Sequence, residues 1–455
     1  MTKRYLTILF VLIASSAYTH SDDSVRPFTL PDAIRHGLTN SPSAENAALE
    51  LDIAETLIGQ AKSLGLPQLS LGANYTRLDE VTEIDLGEGA FELGSLDNYE
   101  VSAGVSQLLY SGGQLGAAWR AAKLSREYAA IRKTAFESSL VFNITREFHA
   151  AVLAREALLV EEASLQMLQD FEQQIRERER SGSASEFDAL SAQVRVANAK
   201  PAWIAARNQL ALARSALATR INFKGDVNIQ GDFDFEDISW ELADLQQIAR
   251  QNRQELMAAR LLADLSKEAI ASARSQARPE IRLFANSIGG NANQFAFSDE
   301  WEWRWNAGVT ARWNLWDGDL TRQTVRQRKI EYRQQQNTTT DLEAAVMLEV
   351  QQAWLALVQA REARAASAES VNLAERALAI AKVRYDAGLS TYLELTDANV
   401  ALRTAELTRL KARHDHAVAL AQLYYATGIP SPHRPADFTP DHNPNHQTEA
   451  LHETE

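Results

Sequence analysis

Between Trp301 and Leu315 apolar and polar residues alternate without a break, as WEWRWNAGVTARWNL. Trp301, Trp303, Trp305, Ala307, Val309, Ala311, Trp313 and Leu315 share one side of an extended chain. Glu302, Arg304, Asn306, Gly308, Thr310, Arg312 and Asn314 share the other, because successive strand side chains face opposite sides of a sheet. The apolar side has tryptophan near both ends and small or β-branched residues between. A strand that crosses a bilayer needs this pattern, with apolar side chains toward lipid, polar ones toward a wet lumen and aromatic girdles at the two interfaces. An amphipathic strand in a soluble sandwich shares the alternation. It does not explain why five of the nine tryptophans crowd between Trp301 and Trp316. Trp301, Trp303, Trp305 and Trp313 are therefore the candidate membrane girdle.

The remainder of the chain is largely helical in pattern and is written twice. Asn40 matches Asn252 and Pro67 matches Pro279 at an offset of 212 residues, while Gly112 matches Gly318 and Gly182 matches Gly388 at 206. Phe136, Leu140, Ile144 and Phe148 line up with Leu342, Val346, Val350 and Trp354, again at 206. Such self-similarity marks an internal tandem repeat. The offset changes because residues 67–112 are six longer than their partner segment, where a hairpin loop should lie. Repeat 1 spans 28–221, with a helix, two barrel strands within 68–109, a long helix over 113–180 and a return helix over 186–220. Repeat 2 spans 241–429, with a helix, strands within 281–315, a long helix over 319–386 and a return helix over 391–426. Residues 222–240 form a connector, and 430–455 read as a disordered tail with scattered histidines. The first hairpin loop, 79–98, holds seven acidic residues and no basic ones.

Both long helices run 68 residues without proline, roughly 100 Å at about 1.5 Å per residue. Their apolar residues form a narrow stripe, so they are coiled-coil elements that pair antiparallel with the return helices. Pro201 is expected to kink the first return helix. Four spanning strands cannot close a barrel alone, and an open edge in lipid leaves backbone groups unsatisfied. The barrel must be shared among protomers.

Lys3 and Arg4, the apolar run over 5–14 and the small residues Ser15-Ser16-Ala17 read as a secretory signal over residues 1–19. No later stretch approaches the ~20 apolar residues of a spanning helix. Without cysteine the chain has neither disulfides nor a lipidated N-terminal Cys, so strands must hold it in a membrane. A net charge of −14 argues against nucleic acid as a partner. No phosphate-binding glycine loop with lysine, no H-E-x-x-H and no cysteine nucleophile is present, so no enzyme activity, cofactor or metal site is expected. His414 and His416 face different sides of a helix.

The ordered set of motifs TLPDAI, NSPSA and NRQEL, SQLLYSGG and ARWNLWDGD, and the turn YDAGLSTYLELTDA resembles the outer-membrane efflux proteins, the TolC-like outer-membrane factors, from Thr29 to Ile429. The resemblance implies a mainly α fold with a transmembrane β-barrel portion, a homotrimer with a 12-stranded barrel and an α-helical barrel in the periplasm. It implies the exit duct of a tripartite efflux or type I secretion system. Its partners are outer-membrane lipid, a periplasmic adaptor and, through that adaptor, an inner-membrane pump of RND or ABC type. The rival is a non-channel periplasmic coiled-coil scaffold or adaptor, which leaves the paired alternating strands unexplained. Two departures from the family pattern stand out: Leu108 and Asn314 replace the usual swivel prolines, and Asp319 replaces the second glycine after a strand.

In similar proteins the periplasmic turns touch the adaptor, which makes Gly182, Ser183, Gly388, Leu389 and Ser390 the contact candidates. Turn chemistry alone also accounts for them, since glycine takes positive φ after a helix and serine caps the next one. The family pattern places acidic gate residues at Glu394 and Asp397, which share a helix face. Spacing alone reads Thr391-x-x-Glu394 as a capping box and Asp397 as a solvated helix residue. Tyr385 and Asp188 match a pair that holds closed relatives shut, with Ser390 where those relatives carry a cation.

Overall fold

The computed structural model describes residues 26–85, 90–93, 95–233, 240–291 and 300–435. The signal sequence expected at 1–19 and the tail beyond 435 lie outside the described residues. The chain opens with β1 (Arg26–Phe28) and α1 (Leu30–Asn40), whose N-cap Thr29 accepts from the Asp32 N–H. Next comes α2 (Pro42–Ser63). The single helix expected as far as residue 64 is broken at Ser41 (φ −72°, ψ 123°), because a following proline pushes a residue out of the helical region. Then come β2 (Gln68–Arg77), the paired short strands β3 (Thr82–Asp85) and β4 (Ala90–Leu93), and β5 (Asp97–Ser111). The acidic loop thus carries a small hairpin of its own.

Long helix α3 (Gln114–Arg180) and return helix α4 (Glu186–Arg220) follow, and α4 passes through Pro201 as one helix. After β6 (Val227–Ile229) the order recurs as α5 (Leu242–Asn252), α6 (Gln254–Ser275), β7 (Glu280–Gly290), β8 (Glu302–Arg312), α7 (Leu320–Asp386) and α8 (Tyr392–Thr427). The single helix expected at the head of repeat 2 is also broken, here at Arg253 (φ −68°, ψ 115°) with no proline to force it. Arg253 is buried, lies 4.4 Å over the Tyr425 ring, and pairs with Glu255 at 2.8 Å and Glu349 at 2.9 Å. One side chain holds that corner.

The main sheet is antiparallel in the order β2-β5-β7-β8. Its register gathers the apolar sides of all four strands on one face. Leu69, Leu71, Ala73 and Tyr75 oppose Val105, Ala103, Val101 and Tyr99, while Leu283 and Ala285 oppose Val309 and Ala307. Trp303 and Trp305 stand across from Gly289 and Ser287. The other face presents Ser70, Asn74, Glu100, Ser102, Asn286, Asn306, Arg304 and Arg312. Leu71 is 79 % and Trp305 82 % exposed in the single chain, and β2 and β8 are both unpaired edges. No described helix is long and apolar enough to cross a membrane.

Each strand-to-helix transition uses two consecutive left-handed residues, Gly112-Gly113 (φ +64° and +97°) and Gly318-Asp319 (φ +67° and +73°). Asp319 therefore takes the same backbone shape as the glycine it replaces, a region that aspartate tolerates better than most residues. At Gly112 a Cβ would meet the Ser275 carbonyl at 2.7 Å. The swivel positions differ between halves: β5 runs through Leu108 with a register shift before Tyr110, whereas β8 stops at Arg312, before Asn314.

The long helices, 67 residues each, are packed in three separate cores, two at equivalent heights in the two repeats and one at the far turns. Leu140, Ile144 and Phe148 of α3 join Phe28, Ile34, Leu217 and Val227 in one core. Val346, Val350 and Leu357 of α7 join Leu245, Leu256 and Leu423 in a second. A third core lies at the far turns, around Phe171, Ile175, Ala189 and Leu395. Between α3 and α8 runs a polar layer: Arg403 makes a bidentate pair with Glu161 at 2.7 Å, and the Asn399 amide lies 3.5 Å from the Ser164 hydroxyl. The connector is stitched down by parallel pairing of β6 with β1 and by Arg155, which donates to the Ile229 and Gly231 carbonyls. Beside it His149 is buried against Phe233, and burial holds its imidazole down to about 4. The tail read as disordered from Pro430 is placed against α3 as far as Pro435, since the buried Arg434 pairs with Glu137 at 2.6 Å.

If the apolar sheet face meets lipid, Leu71→Arg puts a charge on that face at a cost that rises with depth to about 2–4 kcal/mol at the midplane. We expect it to reduce the assembly recovered from outer membranes several-fold. Asn74→Arg, on the opposite face across from Glu100, should leave recovery unchanged.

Candidate channel entrance and membrane girdle

The two far turns are built alike. Gly182 and Gly388 adopt φ +73° and +72°, and the Ser183 and Leu389 N–H groups reach back to the Arg178 and Arg384 carbonyls at 2.7 and 2.8 Å. This closes each helix with a left-handed cap that satisfies its last carbonyls. A Cβ at either glycine would meet nothing within 4 Å, so backbone conformation rather than crowding requires glycine there. Leu389 is 71 % exposed at the second turn, while the Ser390 hydroxyl is buried with no hydrogen-bond partner.

The acidic residues divide their roles differently from the sequence expectation. Ser185 and Asp188 form the full capping box: the Ser185 N–H and hydroxyl donate to Asp188 Oδ2 at 3.2 and 2.7 Å, and the Asp188 N–H donates to Ser185 Oγ at 3.1 Å. At the second turn Thr391 accepts from the Glu394 N–H at 3.3 Å, but the Glu394 carboxylate returns no bond. Glu394 and Asp397 both face solvent on α8, with Arg195 of α4 4.0 Å from Asp397. Within one chain no hydrogen bond joins Tyr385 and Asp188. The Tyr385 ring instead lies tilted against Tyr392, 6.3 Å between centroids, and carries the Arg178 guanidinium 5.0 Å from its own centroid. Tyr392 is buried, its hydroxyl lacks a partner, and burial pushes that hydroxyl up to about 12.

Arg178, Arg195 and Tyr392 were not singled out from the sequence. Arg178 and Arg195 belong to α3 and α4, whereas the acids they approach belong to the second hairpin. Only Tyr392, an aromatic one residue past a helix cap, carried a local signal. Around the turns Phe187, Leu190 and Val194 on α4 and Ile380 and Val383 on α7 are exposed. In one chain α3 packs between α4 and α8, and α7 lies against α8, so α4 and α7 are the outer members of the four-helix layer.

At the opposite end, Trp301, Trp303, Trp305 and Trp313 are 47 %, 63 %, 82 % and 57 % exposed. The Trp303 indole covers Gly289, where a Cβ would approach it to 2.8 Å. Trp313 donates from its indole N–H to the Ala277 carbonyl at 3.0 Å, tying the end of β8 to the end of α6.

A four-stranded sheet with one tryptophan-rich apolar face and paired helices about 100 Å long fits the subunit of a channel anchored in the outer membrane. The outer membrane efflux protein family model matches residues 33–222 and 245–429, and the chain belongs to that family. It is an outer-membrane efflux protein whose helical part projects into the periplasm. It is 21 % identical over 440 residues to outer membrane protein TolC of Salmonella enteritidis, covering 94 % of this chain and 86 % of that protein. To TolC of Vibrio cholerae it is 24 % identical over 435 residues, covering 92 % and 95 %. Its fold matches the open-state crystal structure of the Neisseria gonorrhoeae MtrE outer membrane channel with a TM-score of 0.71, at 21 % identity over 88 % of each chain.

Asp188→Ala should remove the capping box and cost about 1 kcal/mol of local stability, visible as faster amide exchange over residues 185–189. Glu394→Gln should leave exchange at the start of α8 unchanged, because Thr391 alone serves that cap.

Proposed function

We propose that three copies of this chain form the exit duct of a tripartite efflux or one-step secretion system, with 12 strands in the outer membrane and a helical tube below. The apolar sheet face flanked by two unpaired edges supports this reading most directly. Backbone groups on β2 and β8 must be satisfied in lipid, and pairing β8 of one copy with β2 of the next closes the sheet without a free edge. The exposed apolar residues of α4 and α7 meet in the same arrangement. The partners are the surrounding lipid, a periplasmic adaptor and an inner-membrane pump of RND or ABC type reached through it. A periplasmic scaffold has no use for the lipid-type face.

The entrance lies at the far turns. Gly182, Ser183, Gly388, Leu389 and Ser390 present the adaptor contact. Glu394 and Asp397 from three copies form two stacked carboxylate rings, which favour cations and oppose anions. That Glu394 keeps its carboxylate out of the cap supports this role. Tyr385 and Asp188, unjoined within the chain, form a latch between neighbouring copies.

Photo-crosslinking from Leu389 in cells should capture a periplasmic adaptor. Its identity assigns drug or metal efflux, or protein export, to the duct, and outer-membrane protein that captures nothing periplasmic refutes the docking site. In planar bilayers Tyr385→Phe should raise closed-state conductance, and an unchanged leak rejects the latch. The double substitution Glu394→Gln with Asp397→Asn should lower cation preference, and unchanged selectivity rejects the gate.

A further inference from the structure

Just below the girdle, where β8 hands over to α7, a cleft of about 810 Å³ opens between the end of α6 and the first turns of α7. One side is apolar: Trp313, held by its bond to the Ala277 carbonyl, together with Leu315 and Trp316, which are 78 % and 86 % exposed. The other side is cationic, with Arg274 from α6 and Arg322, Arg326 and Lys329 from α7. The three α7 cations stand four and three residues apart and share one helix face.

Two acids also line the cleft, and both are engaged. Asp317 accepts from the Thr321 N–H at 3.0 Å, and Asp319 pairs with Arg322 at 3.5 Å. Among the described residues Arg274, Arg326 and Lys329 have no carboxylate partner. The first half of the protein does not share this arrangement. At the positions of α3 that correspond to Arg326 and Lys329, Arg120 is bound to Glu268 at 2.8 Å and Lys123 sits 3.8 Å over the Trp119 ring. The first transition keeps Lys123 on an aromatic face and Arg278 on the Gly112 carbonyl, so only at the second do three such cations line one open cleft beside exposed tryptophan. Lys329 lies nine residues into α7, roughly 14 Å along the axis, so the cations run from the headgroup layer, about 5–8 Å deep beside the hydrocarbon core, to just beyond it.

We propose that this cleft binds an anionic phospholipid of the periplasmic leaflet. Its phosphate-bearing headgroup lies among Arg274, Arg326 and Lys329, and its acyl chains run up over Trp313, Leu315 and Trp316 along the apolar sheet face. Basic pockets beside membrane spans take anionic headgroups in this way, each cation near the surface adding about 1 kcal/mol, and aromatic side chains mark the same depth. The occupant is a lipid rather than a free anion because half of the cleft wall is apolar and continuous with the lipid-facing strands. The site rests on the outer-membrane location, not on the direction or cargo of the duct, so its test is independent of the gate and the adaptor.

The test is native mass spectrometry of the full-length assembly in detergent with added phosphatidylglycerol or phosphatidylcholine, reading subunit number and retained lipid in the same spectrum. The wild type should retain phosphatidylglycerol roughly tenfold over phosphatidylcholine. The triple variant Arg274→Gln, Arg326→Gln and Lys329→Gln should lose that preference while keeping its subunit number. Trp316→Ala should weaken retention of both lipids and leave the preference intact. Equal retention of the two lipids by the wild type overturns the proposal, as does a preference that survives in the triple variant. A wild type without preference whose triple variant falls apart into single chains also overturns it, and assigns these cations to the acidic residues of a neighbouring copy, of which Glu50 and Asp52 on α2 are exposed.

Discussion

Every backbone donor and acceptor inside a bilayer needs a partner, because there is no water to supply one. That constraint governs this molecule. Four strands satisfy one another in three ladders and leave two edges, so the sheet cannot rest in lipid as a single chain. The alternation of each strand, the register that puts apolar residues on one face and the outer placement of α4 and α7 all fit the proposed assembly, in which neighbours complete each subunit. The helical part obeys a milder version of the same logic. A helix of 67 residues with a narrow apolar stripe has no globular core to wrap, so packing is concentrated in separate cores, with polar contacts between those near the sheet and the one at the turns.

Much of this was legible because the relevant signals are local. Pro67 and Pro279 precede β2 and β7, the paired glycines mark the strand-to-helix transitions, and long proline-free runs end at Gly182 and Gly388. Period-two alternation needs only the residues themselves, and so does the turn chemistry of the helix caps. Ser41 was equally legible, since a residue before proline leaves the helical region, and the single-helix reading overlooked it.

What escaped the sequence depends on partners far along the chain. The corner at Arg253 exists because Tyr425 and Glu349, from α8 and α7, receive its guanidinium. The order of residues 430–435 rests on Arg434 meeting Glu137 almost three hundred residues earlier. At the entrance, Asp188 and Glu394 occupy the same position after a helix cap, and spacing could not tell which would be consumed by it. Ser185 supplies both a hydroxyl and an N–H to Asp188, whereas Thr391 bonds only the Glu394 N–H. The cleft beneath the girdle likewise depends on which cations find carboxylates, a question of neighbours rather than of composition.

The polar layer between α3 and α8 has a mechanical meaning. Below it the second hairpin runs from the Arg403–Glu161 clamp down to the turn at Thr391, twelve residues or about 18 Å further, and is tied to the first again only at the third core, around Leu395. Above it the helices are bolted to the second hydrophobic core. Beam deflection grows steeply with the length between ties, so the spacing of the clamp from the third core sets the compliance of the segment that carries the rim. Moving the same ion pair one turn upward would soften the rim without altering any residue at the rim itself.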